Sequence, residues 1–105
     1  TINVPMEAGE SDDDYRAVFQ KVLVPAADAF KPELVIISAG FDAHRDDPLA
    51  SMGLTEEGYA DLTSIVAGIA TRHCRGRLLS SLEGGYNLTA LAASVERHIR
   101  ALVAS

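Results

Sequence analysis

Two short segments of the chain carry side chains suited to chemistry. The first is Ser38-Ala39-Gly40-Phe41-Asp42-Ala43-His44, running on through Arg45-Asp46-Asp47-Pro48-Leu49. The second is Leu82-Glu83-Gly84-Gly85-Tyr86-Asn87. Carboxylate oxygen is a good ligand for zinc, magnesium or manganese, and His44 adds an imidazole two residues beyond Asp42. A lone carboxylate in a loop also serves as a turn former. Asp46 and Asp47, ahead of Pro48, read first as turn residues, with Asp47 as a brace for backbone N–H groups. Gly84-Gly85 permits a tight turn and a close approach of backbone to a ligand. Tyr86 at its crest could donate a hydrogen bond to a polarised carbonyl. The same turn would also suit a phosphate at a helix N-terminus, or the ring could simply cover a sheet end.

The other reactive side chains read as structural. His73 and Cys74 close a helix, where a donor or cation helps the last carbonyls. His98 is expected on the surface of the last helix, and Tyr15 and Tyr59 in the core. Thr1 at the start is open to two readings, a processing or cloning boundary or an N-terminal nucleophile using its own amine.

The elements that position the two loops follow from periodicity. Ser11 or Asp12 caps a helix in which Tyr15, Val18, Phe19, Val22, Leu23, Ala26, Ala27 and Phe30 form one inner face. Pro25 interrupts that helix and Lys31-Pro32 ends it. Leu34 to Ser38 is a short apolar run, read as a strand buried on both faces. Residues 40–54 form a long loop, and Thr55 caps a second helix with Glu56 and Glu57 at its positive end. Tyr59, Leu62, Ile65, Val66, Ile69 and His73 face inward there, and Gly76 stops it. Leu78 to Leu82 is a second strand, and Asn87 caps a last helix with Leu88, Leu91, Val95, Ile99 and Leu102 inside. Strands alternating with helices predict a parallel sheet, with Ile2 to Val4 as a third strand. Ligands of such sheets bind beyond the carboxyl ends of the strands, so Asp42 and Tyr86 are expected to face one crevice.

Composition narrows the partners. The 105 residues are 48% hydrophobic and 23% charged, ordinary for a folded domain. Nine Lys and Arg against fifteen Asp and Glu give a net charge of -6, which argues against direct nucleic acid binding. The apolar runs are too short to span a membrane. The single Cys74 excludes an internal disulfide and fits a reducing compartment, so a cytoplasmic location is expected. So narrow a sheet leaves edges unpaired, which predicts a homo-oligomer or a piece of a longer chain.

Taken together, the two loops resemble the C-terminal part of the zinc-dependent histone deacetylase family. The likeness is strongest to class II and bacterial members, which include acetylpolyamine amidohydrolases. It extends to Asn3-Val4-Pro5, Pro32-Glu33-Leu34 and Thr55-Glu56-Glu57-Gly58-Tyr59, so it spans residues 1–105 as one partial domain. The resemblance implies an arginase/deacetylase α/β fold, here a short parallel sheet flanked by helices. It implies zinc as cofactor and acetyl-lysine or acetylpolyamine as substrate. Asp42 matches the last of three protein zinc ligands. Tyr86 matches the tyrosine that hydrogen-bonds the acetyl carbonyl, and Gly84 and Gly85 match glycines lining the acyl-lysine channel. His44 is not a ligand in that pattern.

The family's Asp-x-His ligand pair and adjacent His-His pair have no counterpart here. His44, His73 and His98 match neither. Two expectations follow: the chain is part of a zinc amidohydrolase that is inactive by itself, or it is a non-catalytic α/β module that self-associates.

Overall fold

Two five-residue strands, β1 (Val35–Ala39) and β2 (Leu78–Leu82), carry the two loops side by side. They pair in parallel, from Val35 opposite Leu78 to Ala39 opposite Leu82, so both loops leave the same edge of the sheet. The computed structural model describes residues 1–105. Helix α1 (Asp12–Val18), a π-helical turn (Phe19–Leu23) and α2 (Val24–Phe30) precede β1. Helix α3 (Glu56–Cys74) makes the crossover, and α4 (Leu88–Ala104) follows β2. No helix is long and apolar enough to cross a membrane.

Capping residues start the helices as their chemistry requires. The Asp14 carboxylate accepts from both the N–H and the hydroxyl of Ser11, at 2.9 and 3.1 Å. The Thr55 hydroxyl accepts from Gly58 N–H, and the Asn87 side chain from Ala90 N–H. Pro25 has no N–H to give the carbonyl four residues back. The turn before it widens to π geometry, with the Val24 N–H bonded to the Phe19 carbonyl. Helix α3 ends on Arg75 in the left-handed region, and Gly76 N–H returns to the Ala70 carbonyl at 3.0 Å.

A second cap reaches across the chain. Asp12 accepts from the Thr55 N–H at 2.8 Å and hydroxyl at 2.6 Å, tying α1 to the start of α3. Its carboxylate fills the space where a side chain on Gly58 would stand. Arg16 pairs with Asp61 on the same seam, and Asp28 receives Arg72 and His73 at 3.0 and 2.7 Å. His73 and Arg72 together hold the Asp28 carboxyl below its usual range.

The core lies between one face of the sheet and the helices. Ala39, Phe41, Leu54, Tyr59 and Leu62 form it, with Ile37, Leu91 and Val95 packed against them. Four expectations need correction. The strands are covered on one face only: Ile36 is 65% and Leu79 60% exposed, because the helices pack on the side of Ile37 and Ala39. Ile2 to Val4 is not a strand, since the sheet has two strands and the segment joins neither edge. The α1–α2 face is only half covered, and Phe30 is 80% exposed, lining an open apolar groove with Pro32, Leu34 and Ile36. In α4 the buried stripe is Ala90, Ser94 and His98, while Leu88 and Ile99 face outward. Small residues let α4 approach α3 closely, and that contact outweighs the burial of larger side chains.

Candidate active-site loops

The ladder of the sheet continues into the loops. Glu83 N–H donates to the Ala39 carbonyl at 3.0 Å, and Phe41 N–H to the Gly84 carbonyl at 2.8 Å. These bonds bring residues 40–42 against 83–85. A Cβ on Gly84 would stand 2.9 Å from the Asp42 Cγ, and one on Gly40 would stand 3.2 Å from Asp42 Oδ1. Both glycines therefore make room for this carboxylate. Gly85, at φ 145°, adopts a conformation that favours glycine, and a Cβ there would meet Leu91 at 2.6 Å.

Several backbone donors near Asp42 are committed elsewhere. Ala43 N–H donates to the Tyr59 hydroxyl at 3.1 Å, and Phe41 N–H to Gly84. Tyr86 and Leu49 N–H go to Asp47, at 2.8 and 2.9 Å. No hydrogen bond from the chain reaches the Asp42 oxygens. Burial, with the Asp42 charge adding to it, pushes the Tyr59 phenol well above its ordinary value, so it stays neutral.

Asp47 acts as the brace its position suggests. It is 8% exposed, and burial pushes its carboxyl up. The backbone donors of Leu49, Tyr86 and Asn87 outweigh that effect and hold it below its ordinary value. Asn87 adds a second link, from its side-chain amide to the Asp46 carbonyl at 3.1 Å.

His44 does not bond Asp42. Its ring is buried, Nε2 lies 2.8 Å from Glu56, and Nδ1 accepts from Asp46 N–H at 3.1 Å. Both ring nitrogens are occupied, so Nε2 carries the proton that goes to Glu56. This bond holds the Glu56 carboxyl below its usual range. The imidazole secures the loop to the start of α3.

His98 corrects the sequence expectation of a surface position. It is 7% exposed, with Nδ1 at 2.7 Å from the Thr63 hydroxyl and Nε2 at 2.8 Å from the Ser80 hydroxyl. Thr63 donates to the Tyr59 carbonyl, so it accepts from His98 Nδ1–H, and Nε2 accepts from Ser80. Burial pushes this imidazole down. The signal was the spacing of Ala90, Ser94 and His98, one residue every four along α4.

Zinc chemistry needs about three protein ligands with an open position. Asp42 fits one of them, being a carboxylate with free oxygens. No three His, Cys, Asp or Glu side chains of the chain converge as a metal site. These residues alone do not complete a zinc centre.

A parallel sheet with helices, and a carboxylate beside a glycine turn at its carboxyl edge, define an α/β protein with a candidate site at a strand end. Residues 1–102 match the family described as the histone deacetylase domain, and the chain belongs to it. It is 43% identical over 103 residues to the chloroplastic histone deacetylase 14 of Arabidopsis thaliana, covering 98% of this chain and 24% of that protein. It is 40% identical over 86 residues to a histone deacetylase-like amidohydrolase of Pseudomonas aeruginosa, covering 82% of this chain and 23% of that one. The crystal structure of the HDA15 HD domain superposes with a TM-score of 0.88 at 44% identity, over 99% of this chain and 29% of that one. The chain thus spans about a quarter of the length of these two relatives. Its fold is part of the arginase/deacetylase α/β fold.

Proposed function

We propose that this segment furnishes half of the active site of a zinc-dependent amidohydrolase that removes acetyl groups from acetyl-lysine or acetylpolyamines. Asp42 is the zinc ligand, Tyr86 the donor to the acetyl carbonyl, and Gly84 and Gly85 line the acyl channel. What supports this reading is the Asp42 carboxylate, free of chain donors and seated against Gly84 on the loop that carries Tyr86. Zinc, when bound, supplies Lewis acidity at the amide carbonyl.

The chain's own contribution is positional and electrostatic. The Tyr86 phenol donates to the carbonyl oxygen, and the bond strengthens as negative charge grows there. Such selective strengthening raises rate and not ground-state affinity. Gly84, without a side chain, leaves room both for Asp42 and for a narrow acyl chain. The remaining ligands and the proton-transferring histidines come from the rest of such a domain.

The test is Tyr86→Phe in a polypeptide joining this segment to the rest of a deacetylase domain. Loss of one such donor lowers kcat by about a hundred- to a thousandfold. Unchanged turnover removes Tyr86 from the mechanism.

A second reading is a non-catalytic module that self-associates, as a homo-oligomer. The bare sheet face with Ile36 and Leu79 favours it, because apolar surface of this kind is usually covered by a partner.

A further inference from the structure

We propose that Asp47 is the positioning residue for Tyr86: its carboxylate fixes the backbone from which the phenol is aimed. The inference rests on the role given to Tyr86 above.

Tyr86 is 56% exposed, so little packing holds its ring, and the direction of the side chain is set at the backbone. At Tyr86 itself that backbone is held by a strong bond, from Tyr86 N–H to Asp47 Oδ2 at 2.8 Å. Hydrogen bonds to a charged acceptor are stronger than neutral ones. The acceptor is itself anchored in the first loop. Asp47 N–H donates to the His44 carbonyl at 2.9 Å, and Oδ1 accepts from Leu49 N–H at 2.9 Å. Asp47 is buried, so water competes weakly for either oxygen. That side chain thereby ties the loop of Asp42 directly to the backbone of Tyr86, beside the Phe41–Gly84 bond and the Asn87–Asp46 link. That relation is what a carbonyl held between a metal and a phenol requires.

The first arm uses the 105-residue chain and needs no metal. In Asp47→Ala the Tyr86 amide should exchange hydrogen about ten- to a hundredfold faster, the loss expected for one hydrogen bond to a charged group. The Phe41 amide, bonded to Gly84, should keep its protection. Asp47→Asn, isosteric and uncharged, gives the same readout with a smaller change if the alanine variant does not fold. Unaltered exchange at Tyr86 in both variants overturns the proposal.

The second arm uses the joined domain. Asp47→Ala should lower kcat by about ten- to a hundredfold through misplacement of the phenol, with KM and zinc content kept. In a Tyr86→Phe background the same change should cost almost nothing further, because the two act as one unit. Additive losses overturn the positioning role. If Tyr86→Phe alone keeps full turnover, the role of Tyr86 fails instead, and the exchange result still reports on the Asp47 bond.

Discussion

The Asp42 carboxylate stands in the space a side chain on Gly84 would occupy, with Cγ 2.9 Å from where its Cβ would be. Gly84 is thus a spacer that makes room for this carboxylate. Gly84→Ala should push Asp42 aside and destabilise the segment by about 1–3 kcal/mol, the usual cost of overpacking. Thermal denaturation of the variant checks this. A melting temperature equal to the parent's would mean that the loops part without cost.

The Ser94 hydroxyl is fully buried on α4 and has no hydrogen-bond partner. An unsatisfied buried polar group costs about 1–3 kcal/mol. Ser94→Ala removes the hydroxyl while leaving the close α3–α4 contact, and should stabilise the fold by about 1 kcal/mol. Urea unfolding measures it, and a lower midpoint would contradict the accounting.

His98 makes stability depend on pH. Burial lowers its proton affinity in the fold, so between its folded value and the ordinary value of 6.5 the unfolded chain binds more protons. Its contribution is complete above about pH 6.5 and is lost as pH falls toward the folded value. His98→Gln does not titrate and should flatten that slope, whatever its absolute stability. Equal slopes for parent and variant in urea titrations would show that His98 is not the group responsible.

The segment alone should self-associate, most simply as a two-fold dimer through the bare face of Ile36 and Leu79. Light scattering at micromolar concentration should give twice the 11.2 kDa of one chain. Ile36→Lys should restore the monomer. A parent chain that scatters as a monomer with a cooperative melt would contradict this.

Local chemistry explains what could be read in advance. Thr55, Asn87, Pro25 and the run Leu78 to Leu82 act within a few residues, and each element begins or breaks where they dictate. The two loops were legible because parallel strands deliver their carboxyl ends to one edge. Burial was less so, because it depends on which faces meet. Leu88 and Ile99 have the right period for a core face, yet Ala90, Ser94 and His98 won the close contact with α3. His98 was missed because its partners, Thr63 and Ser80, lie on two other elements. The Asp47 brace was anticipated as a residue type, but its target at Tyr86 lies 39 positions away.

Zinc content and rate, measured together on Asp42→Asn and Tyr86→Phe of the joined domain, test the central claim most directly. Asn at 42 removes a charged ligand, so both bound zinc and turnover should fall. Phe at 86 removes only a donor, so zinc should remain stoichiometric while kcat drops by about a hundred- to a thousandfold. Full zinc and full rate with Asn at 42, or loss of zinc with Phe at 86, would contradict the division of roles between the two loops.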